Sequence, residues 1–278
     1  MRPPFELKFR WKRLAGWLGG AAALLLLLAF PWGPLFPLSP LKPGYRVQRF
    51  QRADLVVPKD RAPHPSYVEL DRLVQEAEQF HQLPGPKRVT VVVCRSWGDF
   101  YRFMPHFLGW KGYGMALHLL DTIYLTPRIQ ESGFDEEEAV RHELSHAVLN
   151  NNSSFLNALR MKRQQWVSEG IAVWFQGGRG FLSAGQFLAR ARQRDLLRVI
   201  PPARNLPASQ GSVPFRYAAW HYFLRYLTER HGREKLQRFL LAYMDDPGSY
   251  QAQFARVYGQ SLADAVADFQ QAVRQGRL

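Results

Sequence analysis

Apolar positions in this chain follow two different periods, and the change from one to the other divides it. Tyr45 to Val57 reads as one or two extended segments, and Val89 to Cys94 as a buried strand rich in valine. Between them Leu70, Leu73, Val74, Ala77 and Phe80 recur at helical spacing, so residues 67–82 are expected to form a helix, closed by Pro84-Gly85-Pro86. A short helix is expected from Ser96 to Met104, followed by a glycine-rich loop through Gly109, Gly112 and Gly114. A further strand is expected over 118–126, through Ile123, Tyr124 and Leu125, and Pro127 stops it. From Asp135 onward the period is helical, with helices expected at 135–150, 164–175, 183–197, 216–231, 233–243 and 261–275. A small mixed sheet followed by a helical half is an α+β pattern.

The N-terminus has no period at all. Leu14 to Phe30 carries no charge and includes five consecutive leucines, with basic residues before it and Pro31 after it. At 1.5 Å per residue such a helix spans about 25 Å, the short end of a membrane crossing. Trp11 and Trp32 flank it as interfacial anchors do, and the basic flank places the N-terminus on the cytoplasmic side. A cleaved signal peptide and a buried soluble helix are the alternatives. The first lacks a clean small-x-small site after the apolar run, and the second is at odds with five leucines and no polar face. The expected layout is a basic tail at 1–13, a transmembrane anchor at 14–30, a proline-rich linker at 31–44 and a folded domain at 45–278. That domain would be extracytoplasmic, and periplasmic in a Gram-negative cell.

Charge changes this picture little. The net charge is +14 over 278 residues, and the first 13 residues hold five basic side chains and one acid. The basic residues of the body are scattered over polar helix faces, without a nucleic-acid-binding signature, so no specific nucleic-acid partner is expected. The single cysteine, Cys94, excludes an intramolecular disulfide and sits within the expected buried strand.

The chemistry is concentrated in His142-Glu143-Leu144-Ser145-His146, an H-E-x-x-H sequence inside an expected helix. Asp135 can cap that helix, and Glu136, Glu137 and Glu138 suit its first turn. At about 100° per residue, His142 and His146 lie roughly 40° apart on one face, so both imidazoles can face one metal ion. Val140, Leu144, Ala147 and Val148 gather on the opposite face. Glu143 falls beside the histidine pair, placed to act on a water without binding the metal. A third ligand is needed, and Glu169 in Trp166-Val167-Ser168-Glu169-Gly170-Ile171-Ala172 is the candidate. A carboxylate on so apolar a helix is costly unless it is paired or metal-bound. Gly170 beside it would let another helix approach closely.

With 22 residues between His146 and Glu169, these two segments resemble the gluzincin metallopeptidases, and within them the peptidase MA-like domains. The resemblance implies a zincin-like fold and one zinc held by His142, His146 and Glu169, with Glu143 activating water. It further implies hydrolysis of a peptide or protein substrate. It also implies that the strand Ile123 to Leu125 borders the cleft, and that a tyrosine on a later helix stabilises the tetrahedral oxyanion. Tyr217 is the positional match, with Tyr222 and His221 nearby. No G-x-M-E-N-like segment is present to bind a substrate's amino terminus, which disfavours aminopeptidase activity. A non-catalytic membrane-tethered scaffold or chaperone, or a zinc hydrolase of a non-peptide bond, are the alternatives.

Overall fold

The computed structural model describes residues 13–21, 23–24, 30–162, 164–178, 181–201 and 212–278. Among them five strands form one mixed sheet: β1 Tyr45–Arg49, β2 Ala53–Pro58, β3 Val89–Val93, β4 Gly114–Leu117 and β5 Thr122–Leu125. Their order across the sheet is β1-β2-β3-β5-β4. The β1/β2 and β5/β4 pairs are antiparallel, and β2/β3 and β3/β5 are parallel. Parallel neighbours need a crossover. Helix α1 (Leu70–His81) connects β2 to β3, and α2 (Trp97–Phe103) lies between β3 and the β4/β5 hairpin.

Both faces of the sheet are covered, which is why β3 reads as a continuous apolar run. Leu55, Val57, Val91, Val93, Ile123 and Leu125 enter the larger core with the helices. Val56, Val92, Cys94 and Tyr124 enter a second core under Phe100 and Phe103. Phe36, on a 3-10 turn at Phe36–Leu38, closes that second core and stacks on Phe103 at 4.2 Å between ring centroids. The proline-rich segment therefore packs onto the body.

The helical half comprises α3 Arg128–Ser132, α4 Glu136–Asn151, α5 Phe155–Met161, α6 Gln165–Gln176, α7 Ala184–Ala191, α8 Val213–His231, α9 Arg233–Asp245, α10 Tyr250–Tyr258 and α11 Leu262–Arg274. The expected α+β architecture is present, with three differences. The glycine-rich stretch and the strand after it form a hairpin: β4 starts at Gly114, residues 118–120 make a 3-10 turn, and Asp121 turns the chain at φ 43°. The strand Ile123 to Leu125, expected to border the cleft, is instead interior, bonded to β3 on one side and β4 on the other. All four residues of β5 are buried, whereas burial alternates along β4, as suits an edge. The helix expected at 183–197 stops at Ala191, and helices α3, α5 and α10 have no counterpart in the sequence reading.

The transmembrane segment expected at 14–30 is not supported. Among the described residues no helix is long and apolar enough to cross a membrane. Most of the leucine run lies outside the described residues, which within this segment are 14–21, 23–24 and 30. Trp17 and Leu18 are exposed, 80% and 63%, so they add nothing to the core.

The site depends on three helices. Asp135 caps α4 by accepting from the Glu138 N–H at 3.0 Å. Val140, Leu144, Ala147 and Val148 are buried, which fixes α4 against the sheet with His142 and His146 turned away from it. Helix α6 packs between α4 and α8. At Gly170 the α6 and α8 backbones come so close that an added Cβ would lie 3.0 Å from the Trp220 carbonyl carbon, the Trp220 Cβ and Leu224 Cδ1. Glycine there lets α6, which carries Glu169, close onto α8.

Candidate metal centre and its cavity

His142 and His146, one turn apart on α4, meet Glu169 of α6 at a single point. Glu169 Oε2 lies 3.1 Å from His142 Nε2 and 3.6 Å from His146 Nε2, and the two imidazole nitrogens are 3.2 Å apart. Zinc bonds of about 2.0–2.1 Å at tetrahedral angles would place ligand atoms roughly 3.3–3.4 Å apart. The donor set and its spacing therefore fit one zinc ion with a fourth position open. Among the described residues this is the one group of three His, Cys, Asp or Glu side chains close enough to share an ion.

A second layer orients the first. His142 Nδ1 lies 3.1 Å from Gln176 Oε1, and Gln176 Nε2 donates to Glu138 Oε2 at 3.1 Å. An amide oxygen can only accept, so Nδ1 carries the proton and the Nε2 lone pair points at the ligand site. Burial would raise the Glu169 carboxylate, but positive charge on the two imidazoles, which a metal ion would replace, outweighs it and holds Glu169 well below the usual carboxylate range.

Glu143 projects from α4 toward β4 and is buried. Burial pushes its carboxyl up to about 7; His142 opposes the shift, Glu169 adds to it, and the nearby Ala116 amide opposes it. Gly114 makes this approach possible, since a Cβ there would lie 2.8 Å from Glu143 Cγ and 2.9 Å from Oε1.

Of the three residues considered for the oxyanion role, Tyr217 lines the cavity. Its ring is nearly parallel to His142, 17° between planes and 6.5 Å between centroids, and its phenol is close enough to Glu169 for the two to interact. Burial, and then the Glu169 charge, raise that phenol, so it stays a proton donor. The Tyr222 hydroxyl instead donates to the Leu182 carbonyl at 3.1 Å. His221 is buried beside Gly178 and Tyr222, where burial lowers it to about 4.

These groups line a cavity of 710 Å³ that runs from β4, past the ligand group, to Phe181 and the start of α8. Arg128 and Lys111 line it, as does Lys162, whose amine lies 5.6 Å from the centroid of the Phe107 ring. Sequence reasoning missed Gln176, Glu138 and Lys162. The spacing held a signal for the first two: Glu138 is one turn before His142, and Gln176 is two turns after Glu169. Lys162 lies between helices, with no period to mark it. His118, at the start of the hairpin turn, stacks on Phe155 at 6.2 Å and does not line the cavity.

No protein-family model and no curated protein matches this chain. Solved structures do match. The M1 zinc metallopeptidase from Deinococcus radiodurans is 13% identical with a TM-score of 0.44, over 81% of this chain and 50% of that one. A mutant of an M1 zinc metallopeptidase from the same organism, bound to a Tyr-Ser-Ala substrate, is 13% identical with a TM-score of 0.45, over 84% and 52%. A two-domain M1 mutant bound to L-tryptophan is 12% identical with a TM-score of 0.45, over 81% and 51%. The chain thus spans about half the length of the structures it matches.

Proposed function

We propose that this chain is a zinc-dependent metallopeptidase that holds one zinc through His142, His146 and Glu169 and uses Glu143 as its general base. The convergence of the three ligand atoms at 3.1, 3.2 and 3.6 Å, with Glu143 beside them in an open cavity, carries this reading. Three protein ligands with a free fourth position distinguish a catalytic site from a structural one. Zinc bound there would lower the pKa of a water toward about 7 and polarise the scissile carbonyl. Glu143 then accepts a proton from the attacking water and delivers it to the leaving amine nitrogen. Tyr217 donates to the oxygen on which negative charge develops, an interaction stronger in the transition state than in the substrate. A cavity of 710 Å³ is ample for several peptide residues.

Metal content and turnover of the full chain test this together. One zinc per chain is expected, lost in His142→Ala. Glu143→Gln keeps the shape and the metal but cannot take the proton, so hydrolysis of a peptide mixture should fall by about 10²- to 10⁴-fold with zinc retained. Unchanged hydrolysis in Glu143→Gln, or a purified protein that refuses zinc, would refute the reading.

A further inference from the structure

The cavity lining holds two carboxylates and three strongly basic side chains. Both carboxylates, Glu143 and Glu169, are committed to the catalytic centre, whereas Lys111, Arg128 and Lys162 have no role in it. Elsewhere on the molecule arginines find acids: Arg52 with Glu78 at 2.7 Å, Arg88 with Asp54 at 2.6 Å, Arg141 with Glu76 at 2.7 Å. Among the described residues no carboxylate lies within ion-pair distance of the three cavity bases. A divalent ion in the ligand group would cancel the charge of Glu143 and Glu169, leaving three positive charges around the space where substrate must lie.

Lys162 is the best placed of the three. It follows α5, which contributes Ala158 and Met161 to the cavity wall, and its amine is held beside the Phe107 ring. An ammonium over an aromatic face keeps its remaining donors free and is more ordered than one on an open surface. Lys162 also faces the Glu143 side of the cavity, close enough for the two charges to interact. Lys162, Lys111 and Arg128 are all exposed at the rim of this largely apolar lining, so they meet substrate as solvated charges, and an incoming carboxylate would gain charge-assisted contacts with them.

We propose that Lys162, supported by Lys111 and Arg128, forms an anion subsite that selects peptides carrying a carboxylate close to the scissile bond. This rests on the peptidase reading above. The carboxylate has two possible sources, an Asp or Glu side chain or the substrate's own C-terminus. Both present the same charge and the same acceptor oxygens to the ammonium.

The test measures binding in the full-length, zinc-loaded Glu143→Gln protein, where cleavage does not interfere. Calorimetry compares four pentapeptides: Ala-Ala-Glu-Ala-Ala and Ala-Ala-Gln-Ala-Ala, each as free acid and as C-terminal amide. At least one carboxylate should tighten binding by about tenfold or more, the scale of a charge-assisted hydrogen bond. The gap should fall toward unity on adding Lys162→Met, persist on adding Lys162→Arg, and shrink with salt. Whether the gap follows Glu over Gln or acid over amide identifies the source. Equal binding of all four peptides, or a gap that Lys162→Met leaves intact, overturns the subsite. If the wild-type protein cleaves none of these peptides while the Lys162-dependent gap is present, the subsite stands and the peptidase reading falls.

Discussion

His142 is fixed at both ring nitrogens, and this restricts what it can do. Gln176 Oε1 accepts from the Nδ1–H at 3.1 Å and is itself held by Glu138, so Nε2 keeps its lone pair for a metal. Removing the amide in Gln176→Leu should free the ring to rotate and change tautomer without touching a ligand. Zinc affinity is expected to drop about 10- to 100-fold, the usual effect of losing an outer-shell partner, while the fold persists. A competition titration with a chelator of known affinity would read this, and wild-type affinity would mean that packing alone orients His142. Tyr217 makes a different prediction, because only its hydroxyl is at stake. Tyr217→Phe keeps the ring contacts with Phe181 and Trp220, at 5.3 Å each, and so should leave KM nearly unchanged, with kcat read at saturating zinc because the phenol also interacts with Glu169. Loss of one oxyanion donor should lower kcat by roughly 10²- to 10³-fold. A wild-type kcat in this variant would end the oxyanion role. The candidate ligands were legible because H-E-x-x-H carries its geometry in its spacing. Lys162 was not, because its position depends on where α5 ends and Phe107 sits.

At the scale of elements, the centre is set by how closely neighbours approach, and glycine marks two such places. Gly170 carries α6 against α8, with three carbon atoms 3.0 Å from where a Cβ would be. Alanine improves helix propensity by about 1 kcal/mol. It also overpacks the contact at a cost of about 1–3 kcal/mol. Packing should win, because two of the three atoms are the Trp220 carbonyl carbon and Cβ, which cannot rotate out of the way. Gly170→Ala is thus expected to lose up to about 2 kcal/mol in urea unfolding, and to weaken zinc binding because Glu169 moves with α6. A neutral or stabilised variant would show slack in this contact. The glycine was visible in the sequence as a place where a helix could come close, but the partner was not, since no local pattern names α8. Strand β4 was hidden for a related reason. Gly114 reads as loop, yet it is glycine because the Glu143 carboxylate lies where a side chain would be. The helices with strong apolar stripes, such as α1 and α11, were readable to within a few residues. The short ones, α3 and α5, bury too few residues to show a period.

The whole molecule should respond to acid through histidines outside the metal ligands. His81 is 2% exposed and shares a hydrogen bond with Ser145 Oγ at 2.9 Å. Burial, with Arg233 and then His146 adding to it, lowers His81 to about 3, against 6.5 for a free imidazole. The unfolded chain therefore binds a proton below about pH 6.5 that the native state refuses until about pH 3. Stability is fully present above pH 6.5 and declines through this window. By pH 5 the loss from His81 alone should be about 2 kcal/mol. His81→Gln can keep the bond to Ser145 and has nothing to titrate, so the fall in unfolding free energy between pH 7 and pH 5 should be smaller by that amount. An identical fall in both proteins would show that His81 is not the source. Sequence alone could not single out His81, because its burial arises from α1 packing against α4, a contact between elements 64 residues apart at this hydrogen bond.

The candidate ligands also come from two parts of the architecture. His142 and His146 belong to the helix laid on the sheet, and Glu169 to the helix wedged between that one and α8. An ion held by all three would be a rivet through the seam between the layers, since binding energy gained only in the native state becomes resistance to unfolding. Starvation for the metal would then open the joint at α6 as well as stop the chemistry. The lifetime of the protein among proteases and the activity proposed for it would be governed by the same supply.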